Sequence, residues 1–387
     1  MSEGVNPSVA KIFGVFLRFG ATSFGGPAMI VMIRELTVRR HGWVSAATFQ
    51  EGLVLAQSIP GATAMQCAAF VGLRCQGLAG GLAAYVGMGL PAFFLMMGLS
   101  TVYARTQSIA WMISLMHGLS VIVVALMAQA TWAFARTSAR DAGGFAIAAL
   151  SAAALGLGVN PFLVILGAAG CGMLVYRRFS PKAAPAPLGD ALRRGLTRVW
   201  PLLLVLAAVV GGAWFYRREL CDLALLMLGI NCVSFAGGLA ALPIMYQQIV
   251  NVDGLMSGRM FMDGIALGQI TPGPISITST FLGYMLYGPV GAVVATVAMF
   301  SPSFLILVSV EPAFGALLGS RNFYRASLGI AASFVGLLAY VTGKFALDVN
   351  WDSGRLALLV LGLLALWRRL DILWIVAFAA GYALLLL

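Results

Sequence analysis

An apolar stretch broken by Pro-Gly occurs twice in this chain, and the pair limits what the rest can be. Residues 49–61 read FQEGLVLAQSIPG, and residues 261–273 read FMDGIALGQITPG. Phe49/Phe261, Gly52/Gly264, Leu55/Leu267, Gln57/Gln269, Pro60/Pro272 and Gly61/Gly273 are identical, and Glu51/Asp263 adds a matched acid. Proline removes a backbone donor and glycine frees the chain to turn, so each copy predicts a helix that stops and restarts. In lipid such a break survives only where protein or water covers its unpaired N–H and C=O groups. Short interrupted apolar segments at corresponding places of two halves point to a transporter's binding site.

The membrane setting follows from composition. The chain is 61% hydrophobic and only 10% charged, with a mean hydropathy of +0.95. A soluble domain carries about 25% charged residues. Several apolar runs exceed the ~20 residues that span a bilayer. The expected fold is therefore an all-α polytopic membrane protein, embedded in the lipid bilayer, with too little polar sequence for a separate soluble domain.

The net charge of +11 lies mostly in short segments between apolar runs, where positive-inside bias places it. It is read as a topology signal, not as a nucleic-acid surface. Five cysteines show no CxxC and no zinc spacing, and two histidines exclude a multi-histidine metal site. No metal or other cofactor is expected. The start is short on charge and its apolar run continues past residue 30, so no cleavable signal peptide is expected. Paired acids, a Ser/His/Asp set and a GxxxxGK loop are all missing from the sequence, which argues against an enzyme.

The repeat extends well beyond the break. SFGG at 23–26 matches SFAG at 234–237, and Gly72, Gly77, Gly80 and Pro91 recur 211 residues on as Gly283, Gly288, Gly291 and Pro302. The expected organisation is a first repeat over 1–176, a basic cytoplasmic linker over 177–198, an extra linking helix over 199–219, and a second repeat over 220–387. It comprises about 12–13 transmembrane segments in two homologous halves. If each broken segment crosses once, the first half makes six crossings and the linking helix a seventh, which inverts the second half. Re-entrant hairpins make the count even and the halves parallel. Charge bias favours inversion: Arg321, Arg325, Arg368 and Arg369 then lie inside and Asp348 and Asp352 outside. Its weak point is that Arg34, Arg39 and Arg40 fall outside.

The binding chemistry is expected at the two breaks. Beyond Pro60-Gly61 and Pro272-Gly273 a new half-helix begins, and its first N–H groups and positive dipole end suit an anion. Thr63, Gln66, Thr271, Ser276 and Thr278 offer hydroxyl and amide donors nearby, and Gln57 and Gln269 lie one turn before the breaks. Gly25 and Gly26 join the candidate site if SFGGP is more than a close helix crossing. Arg18 and Arg34 are candidate charge-handling residues, because intramembrane charge is costly and usually functional. Glu51 and Asp263 are either first-turn acids favoured by the dipole or proton carriers.

At SFGGP, LAQSIPG and GQITPGP the sequence resembles the chromate ion transporter family in its long two-domain form. The first copy carries the pattern through Phe24, Gly25, Gly26, Trp43, Phe49, Gly52, Gln57, Pro60, Gly61, Gly72, Gly77 and Pro91. The second carries it through Phe235, Gly237, Gly264, Gln269, Pro272, Gly273, Pro274, Gly283 and Pro302. Ala62 stands where the family tends to have a second proline, and Ala236 replaces a glycine. The resemblance implies efflux of chromate across the inner membrane of bacteria and chromate resistance, with sulfate as a competitor. It also implies inverted halves and coupling to the proton gradient or membrane potential. Electrostatics agrees on direction: a dianion leaving a negative interior gains roughly 5 kcal/mol per 100 mV. The alternatives are a permease for sulfate or another oxyanion, a membrane-bound reductase, and an anion channel. A homodimer is left open.

Overall fold

The computed structural model describes residues 7–24, 26–178, 189–235, 237–368 and 370–386, and no strand occurs among them. Among the described residues, five helices are long and apolar enough to cross a membrane: Thr63–Thr106, Ala110–Ser138, Arg193–Tyr216, Ile275–Leu317 and Arg321–Asp348. The chain divides into two compact units that cut across the repeats. The first unit comprises Met1–Gly98, Pro181–Gly238 and Thr271–Ser320; the second comprises Leu99–Ser180, Leu239–Ile270 and Arg321–Leu387. Each unit thus draws on both copies.

In the first unit, α1 (Val9–Thr22) starts at Ser8, whose Oγ accepts from the Lys11 N–H. It is followed by α2 (Gly26–Arg34), which runs into a π-helical turn, Glu35–Arg40. The Phe16 and Trp43 rings lie 6.4 Å apart. A continuous helix would hold them about 40 Å apart at 1.5 Å per residue. Residues 9–34 therefore do not form one continuous helix: α1 and α2 double back, with their tip at Ser23-Phe24.

The next segment doubles back as well. Helix α3 (Ala46–Ser58) is capped by Ser45 and stops at the break over 59–62; α4 (Thr63–Thr106) begins beyond it. Gly52 lies against the Phe70 ring, and the Arg74 guanidinium is 3.9 Å from the Glu51 carboxylate. Residues 51 and 74 of one straight helix would be about 35 Å apart. The first broken segment thus doubles back on itself and does not run straight on through the break.

A further reversal lies inside α4. Gln76 and Gly77 leave helical geometry, with Gly77 at a φ of +57°, and a Cβ on Gly72 would collide with the Gly80 carbonyl. The same reversal recurs at Tyr287-Gly288 in α12 (Thr278–Val310), where Gly288 has a φ of +66° and the Thr280 and Thr296 hydroxyls are 2.6 Å apart. Glycine takes this left-handed backbone without the Cβ penalty. Each of these long helices is thus two limbs joined by a tight turn.

Helix α8 (Gly189–Tyr216) begins ten residues earlier than the linking helix expected at 199, so Arg193, Arg194 and Arg198 belong to it rather than to a linker. Linker residues 179–188 lie outside the described residues. Glu311 receives Arg198 at 3.3 Å and Arg74, beside the first turn, at 3.1 Å. Past the other end of α8, the Arg217 guanidinium lies 5.9 Å from the Tyr287 ring centroid, at the second turn. Residues 198 and 217 are about 28 Å apart along a helix. The two repeat-related turns therefore sit at opposite ends of α8. The unit also contains α9 (Arg218–Val233) and, near its last boundary, α13 (Phe314–Gly319).

The second unit contains α5 (Ala110–Ser138), α6 (Ala142–Gly156), α7 (Pro161–Val175), α10 (Ala241–Tyr246), α11 (Gly258–Ile270), α14 (Arg321–Asp348), α15 (Ser353–Trp367) and α16 (Ile372–Leu386). Asp141, Asn160 and Asp352 cap α6, α7 and α15 by accepting backbone N–H groups. Gly172 packs against Gly329, and Gly118 against Ala383. Adding 211 to 118 and 172 gives 329 and 383, so these are one contact with the copies exchanged. Thr131 meets Thr342, its own counterpart, hydroxyl to hydroxyl at 3.2 Å. A residue that touches its own copy marks a two-fold axis between α5 and α14.

Candidate functional site

The tips of the doubled-back segments meet within the first unit, and they meet across the repeats. The Gly61 N–H donates to the Ser234 carbonyl at 2.9 Å, and the Gly273 N–H donates to the Ser23 carbonyl at 3.0 Å. Each Pro-Gly break is thus closed by the SFGG-type tip of the other copy. Gly61 and Gly273 have φ of +123° and +113°, which aim these N–H groups away from their own helices. Both N–H groups are consequently used by protein, and the anion donors must come from the next residues.

Those residues are the starts of the half-helices. In α4 the first intrahelical bond runs from Gln66 N–H to the Ala62 carbonyl, which leaves the Thr63, Ala64 and Met65 N–H groups without helical partners. In the second copy the chain re-enters helix at Ile275, where Ile277 N–H bonds the Pro274 carbonyl. Gly237 faces the Thr63 hydroxyl, and Gly238 faces the Ser276 hydroxyl and N–H. A two-glycine step with no side chains therefore separates the two helix starts. The positive ends of both dipoles converge there, a geometry suited to an oxyanion.

The side chains divide into those that can donate and those already engaged. Ser23, Ser276 and Ser279 are buried, and their hydroxyls have no partner among the described residues. Thr278 donates to the Ile275 carbonyl at 2.9 Å, and Thr271 lies 3.9 Å from the Met96 sulfur. Gln66 differs from its expected role as a donor. Its Nε2 gives one hydrogen to the Pro60 carbonyl at 2.7 Å and approaches the Ser303 carbonyl at 3.3 Å. Two carbonyl acceptors identify that atom as the nitrogen. Its buried Oε1 is left without a partner. Gln66 braces the break, and what it can still offer is an acceptor.

Arg18, Arg34 and Gln57 are exposed, and Glu51 is an exposed partner of Arg74. Gly26 begins α2, while Gly25 lies outside the described residues. Gln269 and Asp263 belong to the second unit; both are buried, and Asp263 Oδ2 accepts the Tyr103 hydroxyl at 2.6 Å. Tyr103 carried no sequence signal, being one tyrosine at the end of an apolar run. Ser303 and Ser279 gave none either, whereas Ser234 and Gly237 stood within a motif already matched.

A separate cavity of about 410 Å³ in the first unit is walled by residues such as Leu82, Phe93, Val205, Val209, Val293 and Phe304. No charged group lines it. It suits an acyl chain, not an anion.

Comparison with known proteins agrees with this architecture. The family model described as "Chromate transporter" matches residues 10–173 and again 221–384. An uncharacterized transporter of Methanocaldococcus jannaschii is 36% identical over 394 residues, covering 100% of this chain and 96% of its own. The chromate transport protein of Pseudomonas aeruginosa is 30% identical over 88% of this chain and 82% of its own. A probable chromate transport protein of Synechococcus elongatus is 32% identical over 90% and 91%. No solved structure matches the chain.

Proposed function

The chain belongs to the chromate transporter family, and from that premise we propose that it exports chromate from the cytoplasm across the inner membrane and so confers resistance. The one observation that carries the reading is the exchanged pairing of Gly61 with Ser234 and of Gly273 with Ser23. It supports a shared oxyanion site at the two half-helix starts, with Thr63, Ser23, Ser276 and Ser279 as hydroxyl donors.

In this proposal the repeats are inverted across the bilayer. With α1–α2 and α3–α4 both doubled back, the first half keeps an even number of crossings. The single pass of α8 then reverses the second half. The two turns at opposite ends of α8 support the same arrangement. Arg34, Arg39 and Arg40 return to the side of the basic linker, which removes the one charge conflict in the topology. The membrane potential favours export of the dianion, and the proton gradient is the second proposed source of energy.

The test is chromate uptake into energised inverted vesicles, with and without excess sulfate. Uptake that sulfate weakens only partly supports the proposal. Preferential sulfate uptake would favour an oxyanion permease instead, and no uptake of chromate would refute export. A reporter fused after Leu387 should report the periplasmic side.

A further inference from the structure

We infer that Asp263 and Tyr103 form the proton-binding site that couples transport to the proton gradient, an inference that rests on the chromate-export reading. The matched acids of the two breaks have parted company. Glu51 has a side chain 64% exposed and pairs with Arg74. Asp263 is 4% exposed and has no Arg or Lys ion pair among the described residues. Methionine (Met285) stands 211 residues on from Arg74, and phenylalanine (Phe314) stands 211 on from Tyr103. The first copy's acid keeps a surface ion pair; the second copy's acid is buried against a phenol supplied by the first copy.

The geometry of the buried acid is incomplete. Tyr103 donates to Oδ2 at 2.6 Å, and Oδ1 is buried without a partner among the described residues. A carboxylate held by one neutral hydroxyl is poorly compensated, because buried charge is costly unless it is paired and fully hydrogen-bonded. A proton on Oδ1 removes that cost while Tyr103 continues to donate to Oδ2. The ionised form returns only when water reaches the acid. A group of this kind responds to which side of the membrane it faces.

The charged and titratable neighbours are few. Arg259, exposed one turn earlier on α11, acts on both Asp263 and Tyr103 through space. On α5, His117 Nδ1 lies 3.3 Å from Arg355 Nη2 of α15, and Arg355 is itself paired with Asp352 at 2.9 Å. On α14, Asp348 accepts from Tyr246 of α10 at 3.4 Å, and on α16 Tyr382 donates to the Gly354 carbonyl. Arg259 is the one of these cations without an acid in an ion pair among the described residues. The balanced step is uptake of one proton from water by the Asp263 carboxylate on one side and its release to water on the other.

The test uses the full chain in liposomes, with two readouts: chromate exchange without a gradient, and chromate accumulation driven by a pH gradient. Asp263→Asn should lower the ratio of driven accumulation to exchange at least tenfold, and Asp263→Glu should restore part of it. Tyr103→Phe, which leaves the acid in place, should move the pH midpoint of driven transport upward. If Asp263→Asn is not monodisperse, the Glu and Phe variants decide the matter. Driven accumulation in Asp263→Asn equal to wild type would overturn the inference. So would wild-type exchange that a pH gradient never accelerates, or a pH midpoint unmoved in Tyr103→Phe. Wild-type protein that exchanges no chromate at all would instead defeat the export reading beneath it.

Discussion

Replacing Gly61 by alanine should cost clearly more than the matched change at Gly273. Both glycines sit at positive φ, +123° and +113°, and an L-residue held there costs about 1–3 kcal/mol. What differs is the space around them. A Cβ on Gly61 would overlap the Ser303 side chain and lie 2.8 Å from Gln66 Nε2. Making room displaces the amide that holds the Pro60 and Ser303 carbonyls, and orphaning buried polar groups costs about 1–3 kcal/mol. A Cβ on Gly273 would meet only the Ala92 Cβ, at 2.8 Å, so the Ala92 backbone must give, but no hydrogen bond is displaced. Gly61→Ala should therefore lose about 2–6 kcal/mol, and Gly273→Ala roughly 1–3 kcal/mol plus a smaller packing term. Melting midpoints of the detergent-solubilised protein, followed by size exclusion, rank the two. Adding Ser303→Gly to Gly61→Ala should recover part of the loss, because it clears the overlap and leaves the strain. Equal losses at both glycines, or no recovery in the double variant, would refute this account of the break.

Three further outcomes are expected. Gln66→Glu should melt below Gln66→Leu by about 1–3 kcal/mol, since it aims an anion at two carbonyl oxygens where leucine only loses the bonds; melting midpoints of the pair decide it. Glu311→Gln should cost about 1 kcal/mol or less per pair, because the Arg74 and Arg198 side chains are 43% and 55% exposed, and melts at low and high salt should show the penalty shrinking. His41, stacked on Trp43 in the loop after the π turn, titrates below its ordinary 6.5, chiefly through burial and then through Lys11 and Arg40. The unfolded chain thus binds the proton first, so stability is full above about pH 6.5 and falls as pH drops below it. His41→Gln should flatten that acid-side fall in a pH series of melting midpoints.

The duplication was legible because glycine and proline act locally and their spacing survives divergence: 72, 77, 80 and 91 reappear 211 residues on. The site of the break was legible for the same reason. Direction was not. Hydropathy is the same whether a segment crosses or returns, and the contacts that reveal return, Phe16 with Trp43 and Glu51 with Arg74, join residues more than twenty apart. In the proposed topology the return of α1–α2 is what moves Arg34, Arg39 and Arg40 to the side of the basic linker. The bracing role of Gln66 was hidden, because a glutamine beside a break reads as a donor to ligand until its N–H groups are found on the Pro60 and Ser303 carbonyls; Asp263 was legible as a candidate acid, but its phenol partner was not. Tyr103 lies 160 residues from the acid it serves.

The exchanged pairing also explains why the two copies must fold together. A chain that stops its helix in lipid leaves N–H and C=O groups that water cannot reach. Within one copy nothing local answers the Gly61 N–H, since its own helix has already ended at Ser58. The Ser234 carbonyl answers it, from a tip that is itself the end of α9, and the Ser23 carbonyl answers Gly273 in the same way. Each tip satisfies the break of the other copy, so neither break is a stable structure alone. The same exchange sets the two half-helix starts on either side of Gly237-Gly238. The contacts that cover the breaks are therefore the same ones that bring the positive helix ends together.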